Sequence, residues 1–381
     1  MIANQPQRHS LATLPVGVAT ASMGMSPCHT LESKFAALCD AGFKNVEIGY
    51  HNYVAWVKER NPGLIPAKSV YPPDWAENSE PDAADNVTWQ ALYDSAEDCK
   101  TLAAKYGLTM TMLQPFQQCD AWEAGSAREA WARRRVERWL PLTSKLGIEI
   151  LQVGTADKVE AKGDDAKIAS DLRWMAELAA RQSPPVKLAY EALCFSPYVN
   201  DWERTWKIVQ QVNHPNFGLC MDVSHWPLAP AYGFNVHTGD GWRDADVQAC
   251  LERVRAVPKD KIFYVEISDL IAPDVTKPLG KGSMFDAWTV ENKPPQGDVF
   301  AWMICSRSVP LVGRDAGLVG PKGDLGARVV DCLRALLDTG YGGHVVFEQF
   351  EAIRMAEDDS AIPTEYALAC AESWTLLSKE L

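Results

Sequence analysis

Long hydrophobic runs are missing from this chain. No stretch of its 381 residues approaches the ~20 apolar positions that a membrane-crossing helix needs. The opening segment, residues 1–12, is mostly polar and has no apolar core of the signal-peptide kind, so a cytoplasmic protein with a flexible lead-in is expected. The ten cysteines include no CxxC pair, and Cys194, Cys220, Cys305 and Cys332 lie in or beside apolar runs. Buried reduced thiols therefore suit the chain better than disulfides or a zinc knot. Positive charge is also short, with 37 Lys and Arg against 50 Asp and Glu and a formal net charge of −13. That balance argues against nucleic acid as partner, because such binding rests on Lys and Arg contacts to phosphate. The one basic cluster, Arg133-Arg134-Arg135, falls in a helical stretch beside Trp131 and Trp139 and reads as a solvated face. No GxGxxG follows the first apolar run, which counts against an open dinucleotide-binding sheet. No Gly-, Ser- or Pro-rich tract divides the chain, so residues 1–381 are expected to form one domain.

What is present is a regular alternation. Eight short runs rich in β-branched and aromatic residues read as strands: Val16–Met23, Asn45–Tyr50, Leu108–Phe116, Ile148–Thr155, Val186–Cys194, Phe217–Asp222, Ile262–Ser268 and His344–Phe350. Helical patterns lie between them, over Thr30–Ala41, Trp89–Tyr106, Ala127–Leu146, Ala166–Arg181, Asp201–Val212, Asp246–Val257, Asp324–Thr339 and Glu365–Lys379. Several close on a glycine (Gly42, Gly107, Gly147, Gly340) and others stop before a proline, the expected helix-end punctuation. Eight βα units in series predict an α/β fold, a closed (β/α)8 TIM barrel. Three connections are oversized, roughly Asn52–Val87, Trp226–Asp244 and Ile271–Gly323. Their aromatic content predicts ordered lids on the face where barrel enzymes keep their chemistry.

Four of the strands end in a carboxylate that an ordinary buried strand would not tolerate: Glu191, Asp222, Glu266 and Glu348. An ionised carboxylate in an apolar setting must be neutralised, paired or bound to a metal. At the ends of strands five to eight, a barrel would bring all four around one divalent cation. Oxygen ligands suit Mg2+ or Mn2+ best, with Co2+ or Zn2+ also admissible. Asp222-Val-Ser-His225 places an imidazole three residues after a proposed ligand, at the start of a loop.

The runs Ala189-Tyr-Glu191-Ala-Leu-Cys-Phe195, Asp201-Trp-Glu-Arg-Thr-Trp206 and His214-Pro-Asn-Phe-Gly-Leu-Cys-Met-Asp222 resemble the fungal 3-dehydroshikimate dehydratases. Phe263-Tyr-Val-Glu266-Ile-Ser-Asp269, Leu113-Gln-Pro-Phe116 and the Ser306-Arg307 pair fit the same pattern. These enzymes belong to the xylose isomerase-like barrels, with the sugar-phosphate isomerases, epimerases and endonuclease IV. The resemblance implies that Glu191, Asp222, Glu266 and Glu348 hold the metal and that His225 is the His of the superfamily DxxH. Two departures stand out. The dehydratases carry a neutral Gln where this chain has Glu266, and the loop after Arg307 lacks a further arginine.

What the resemblance implies is a lyase. A metal-polarised ketone makes an α-hydrogen acidic, a base removes it, and the β-hydroxyl leaves, taking 3-dehydroshikimate to protocatechuate. His225 is the candidate base or acid, and Glu266 a candidate proton donor with a raised pKa. Arg307 is the expected grip on the substrate carboxylate, because guanidinium binds carboxylates through two contacts. Gln114 is expected to meet a substrate hydroxyl, with Glu47 a weaker candidate for substrate contact. A sugar isomerase or epimerase is the rival, since it moves the same kind of proton but returns it. A nuclease would need a multi-zinc site rich in histidine, and the chain holds only seven. Whether two barrels pair is left open by the sequence.

Overall fold

The computed structural model describes residues 9–63, 85–233, 235, 238, 240–271, 288–289, 292, 297–312 and 326–381. Eight parallel strands form a closed barrel: β1 (Val16–Ala19), β2 (Asn45–Gly49), β3 (Thr109–Phe116), β4 (Ile150–Gly154), β5 (Lys187–Glu191), β6 (Phe217–Asp222), β7 (Ile262–Ile267) and β8 (Val345–Phe347). Each pairs with its sequence neighbours and β8 returns to β1, so the predicted (β/α)8 architecture is the observed one.

Strand residues alternate between two surroundings, as the pleat requires. Ala19, Met112, Ile150, Ala189, Cys220, Tyr264 and Val346 pack against one another as an apolar layer inside the barrel. The intervening residues, such as Val18, Leu151, Leu188, Leu219, Val265 and Phe347, join the larger core beneath the surrounding helices. That two-sided burial explains why the strands read as nearly continuous apolar runs.

The helices start and stop largely where their capping chemistry dictates. Thr30 caps Leu31–Asp40, its hydroxyl accepting from the Ser33 amide at 3.2 Å. Gly42 and Gly147 follow their helices with φ of 87° and 68°, a left-handed region that favours glycine. The helix expected over Trp89–Tyr106 is instead two, Asn86–Asp94 and Ala96–Lys105. Ser95 separates them, its hydroxyl bonding back to the Ala91 carbonyl at 2.8 Å, a local bond that competes with continuation of the helix. The last helix, Ile362–Glu380, packs beside the first and completes the outer ring.

Of the three long connections, the first opens with a helix (Tyr50–Arg60), and its residues 64–84 lie outside the described ones. The second contains the short helix His225–Leu228 and a 3-10 turn at Pro230–Tyr232. The third contributes the helix Gly297–Ser306, while residues 272–287 and 313–325, within the expected lid, lie outside the described ones. Within the expected lead-in, Leu11 is buried in a 3-10 turn and residues 1–8 are not described. None of the ten cysteines forms a disulfide, and eight are buried. Among the described residues, no helix is long and apolar enough to cross a membrane.

One buried carboxyl away from the strand ends has a consequence for stability. Asp120, after β3, is 1% exposed; Tyr190 donates to one of its oxygens at 3.1 Å and the other is unpartnered. Burial, opposed by the Tyr190 bond, pushes its pKa up to about 7. The folded chain therefore binds this proton more tightly than the unfolded chain does. The associated stability is present below the unfolded value near 4 and lost as pH rises through about 7. Asp120→Asn should gain on wild type across that window, each pH unit being worth up to about 1.4 kcal/mol. Urea denaturation of both proteins at pH 4.5 and 7.5 measures this, and a gap independent of pH would refute it.

Candidate functional site

Two residues beyond the apolar layer, the strands change character. The next inward positions are Gln114 on β3, Gln152 on β4, Glu191 on β5, Asp222 on β6, Glu266 on β7 and, just past β8, Glu348. The barrel thus places a polar ring over an apolar floor at the carboxyl ends of its strands. One oxygen from each of Glu191, Asp222, Glu266 and Glu348 lies within 4.8 Å of all the others. All four side chains are buried.

Neighbouring groups hold each carboxylate in place. Gln152 donates its amide to Glu191, and Gln114 donates to Glu348 at 2.9 Å. The Ser224 amide and hydroxyl both donate to Asp222, at 3.0 and 2.8 Å. The Cys220 thiol donates to Glu266 at 3.2 Å, while the other Glu266 oxygen is buried without a partner. Burial, reinforced by Glu348, Glu191 and Glu47, drives the Glu266 carboxyl well above the usual range. Glu348 is raised by the same burial, although Arg307 opposes it.

Arg307 is not where a free substrate grip would sit. Its Nη2 donates to Asp222 at 2.7 Å and to Glu348 at 2.8 Å, and its Nε donates to the Ser268 hydroxyl. A two-residue antiparallel pair, Asp269–Leu270 with Arg307–Ser308, carries it there, and its guanidinium lies 5.0 Å from the centre of the Phe350 ring. The reason is electrostatic: a ring of carboxylates attracts a nearby cation more strongly than open solvent does. Nη1 has no hydrogen-bond partner among the described residues, so one end of the fork still faces the cleft.

His225 reaches the ring from the loop after β6. The Cys194 amide donates to its Nδ1 at 3.0 Å, so the neutral imidazole carries its hydrogen on Nε2. Nε2 lies 3.4 Å from Glu191 and 3.5 Å from Asp222. Glu47 belongs elsewhere: it pairs in register with Ala19 and Met112, which puts it in the layer below the ring. Both its oxygens are buried without partners, and burial lifts its carboxyl to about 8. It does not line the cleft, because the strand pairing sets it one layer too deep for substrate contact.

The cleft above the ring encloses about 660 Å3, its open mouth included. Gln114, Glu191, His225, Arg307 and Glu348 all line it. Phe300, Met303 and Ile304, at helical spacing on Gly297–Ser306, build an apolar wall with Phe195 and Phe350. The opposite side holds Gln117, Gln118, Gln152, Asp157 and Lys158. Gly154 makes room here, since a Cβ on it would lie 2.9 Å from the Gln117 side chain. Sequence reasoning missed Gln152 and Lys158. A glutamine inside the apolar run Ile150-Leu-Gln-Val-Gly154 was the available signal for the first. Nothing in the sequence marked the second.

Four buried carboxylate oxygens around one point, one of them on Glu266 without a partner, match the donor set of a hard divalent cation. Removing Arg307 would leave Asp222 and Glu348 unpaired in a low-dielectric setting. In metal-free protein, Arg307→Met should cost about 3 kcal/mol, and Mn2+ should recover more stability in the variant than in wild type. Thermal unfolding with and without Mn2+ checks this; equal losses under both conditions would remove the electrostatic account.

The chain is 29% identical to a 3-dehydroshikimate dehydratase of Neurospora crassa, over 97% of this chain and 95% of that protein. A 3-dehydroshikimate dehydratase of Pseudomonas aeruginosa is 33% identical, over 48% of this chain but 26% of its own length. The crystal structure titled as the IOLI protein with a binding zinc atom has the same fold, with a TM-score of 0.58 and 15% identity, covering 96% of this chain and 98% of that one. Residues 74–366 match the family model for the xylose isomerase-like TIM barrel. With the closed barrel already in view, the chain belongs to the xylose isomerase-like TIM barrel family.

Proposed function

We propose that this chain is a divalent-metal-dependent dehydratase that removes water from a cyclic keto-polyol, taking 3-dehydroshikimate to protocatechuate. The observation that carries the proposal is the buried ring of four carboxylates beneath a cleft with one apolar wall. Similarity to the Neurospora crassa dehydratase along nearly the whole chain supports the substrate class. Glu191, Asp222, Glu266 and Glu348 would hold the ion, Mg2+ or Mn2+ by their oxygen chemistry. When bound, it would supply Lewis acidity toward the ketone and its neighbouring hydroxyl, making the α-hydrogen acidic.

The protein's own groups divide the remaining work. The wall formed by Phe300, Met303, Ile304 and Phe350 packs one face of the ring and excludes water from it. An apolar surface suits a ring on its way to aromaticity better than it suits a hydroxyl-rich open-chain sugar. This favours dehydration over epimerisation. Arg307 Nη1 and Lys158 are the cations that face the cleft, and they attract the substrate carboxylate. His225 is the group placed to move the proton: with its hydrogen shifted to Nδ1, at the loss of the Cys194 bond, Nε2 takes the α-hydrogen and returns it to the departing hydroxyl. Glu266, fully buried and not among the residues that line the cleft, would serve the ion through its unpartnered oxygen.

Incubating the purified protein with Mn2+ and 3-dehydroshikimate should yield the ultraviolet absorbance of an aromatic acid. Silence there, with deuterium exchange or epimer formation on a keto-sugar instead, would favour the isomerase reading. Because the Glu266 carboxyl is raised in the metal-free protein, Mn2+ must displace its proton, and Mn2+ affinity should climb with pH until that carboxyl is ionised. Glu266→Gln, which has no proton to displace, should bind Mn2+ with a flatter pH dependence. A variant whose Mn2+ affinity follows pH as in wild type would show that the displaced proton is not on Glu266.

A further inference from the structure

Three glutamines in the cleft share an arrangement that the reaction chemistry leaves unexplained. Each fixes its amide nitrogen on a carboxylate: Gln114 on Glu348, Gln152 on Glu191 and Gln118 on Asp157. An ionised carboxylate only accepts, so these contacts set the orientation of each amide. For two of the three, the result is a carbonyl oxygen with nothing to bind. Gln152 is 3% exposed and Gln118 is fully buried, both line the cleft, and neither Oε1 has a partner among the described residues.

Gln118 is held in place at a cost. Its φ is 59°, in the left-handed region that non-glycine residues rarely occupy. Its own carbonyl is tied down by the Trp122 indole at 3.0 Å. The site therefore keeps two acceptors, fixed in direction, on the side of the cleft across from the apolar wall. A buried carbonyl left without a donor is unfavourable, and it is satisfied by water or by a ligand.

We infer that Gln118 and Gln152 are the specificity residues that accept hydrogen bonds from the ligand's hydroxyl groups, one each. The ligand class this defines is a ring carrying adjacent hydroxyls with a carboxylate, and it rests on the dehydratase reading above for the identity of that ring. Water would serve the two acceptors in the free protein, and ligand hydroxyls would replace it on binding. The cost of a wrong ligand then has a clear origin. A compound lacking a hydroxyl displaces the water without replacing its bond, and leaves a buried oxygen unpaired.

The two glutamines differ in one further respect, which makes them separable. Gln152 also steadies Glu191, a proposed metal ligand, whereas Gln118 is anchored to Asp157, which is not one. Loss of Gln152 should weaken metal binding, by about 10–100-fold for a partner of this kind. Loss of Gln118 should not.

The test is equilibrium titration of Mn2+-loaded protein with benzoate, 3-hydroxybenzoate, 4-hydroxybenzoate and protocatechuate. Wild type should gain affinity with each hydroxyl, by about three- to tenfold. Gln118→Met and Gln152→Met should each abolish the gain from one hydroxyl while leaving benzoate affinity unchanged. Titration with Mn2+ should show weakened binding only for Gln152→Met. Equal weakening toward benzoate and protocatechuate, or hydroxyl increments the same as wild type, would overturn the assignment. So would a wild type indifferent to hydroxyls or unable to bind the series. A wild type that shows the increments but never forms protocatechuate from 3-dehydroshikimate would overturn the dehydratase reading and leave the hydroxyl acceptors standing.

Discussion

Mutual repulsion among four carboxylates is the constraint on which this structure turns. Glu191, Asp222, Glu266 and Glu348 crowd within 4.8 Å at the mouth of the barrel and are shielded from water. Such a group is unstable by itself, and its surroundings are built to offset the strain. Arg307 bridges Asp222 and Glu348, while Ser224, Gln114, Gln152 and Cys220 each donate to one member. Glu266 keeps the one oxygen with no donor. A divalent cation would complete the balance, and this links the electrostatics of the fold directly to the chemistry proposed for it.

Above the ring, the cleft is asymmetric. The helix Gly297–Ser306 contributes an apolar face, and the ends of β3 and β4 contribute amides and one lysine. The function proposed would seat a flat ring with polar substituents on its edge between such walls, its ketone side toward the carboxylates below. The layer beneath matters as well. Met112, Ile150, Ala189, Cys220, Tyr264 and Val346 fill the barrel, so the site has a dry floor and no through-channel. Dryness strengthens the interactions that hold the ring and raises the pKa of Glu266.

Where expectation and structure part, the cause is three-dimensional. Residues 89–106 read as one continuous helical pattern, yet Ser95 divides the stretch through a bond to Ala91. The final strand is shorter than its apolar run, yet Glu348, just past its last residue, keeps the amide bond to Ile267 and so stays on the inward side of the alternation. Glu47 reads as a functional carboxylate, but pairing with Ala19 and Met112 sets it one layer too deep to meet a ligand. Arg307 is on the site, as its motif implied, but two carboxylates claim its Nη2 before any ligand can. Gln152 escaped notice because one polar residue in a short apolar strand does not declare which way it faces.

The amino-acid sequence alone determined the eight-fold alternation of strands and helices, the acidic ends of the last four strands, and the histidine that follows Asp222. These are local properties of periodicity, helix-end chemistry and residue type, and short segments carry them in full. Only the tertiary structure decided depth and direction: which carboxylate stands in the ring and which beneath it, what Arg307 touches, and where two amide oxygens are left unpaired. Those depend on strand register and barrel closure, which bring together side chains hundreds of residues apart, and no neighbouring stretch of sequence encodes such a contact.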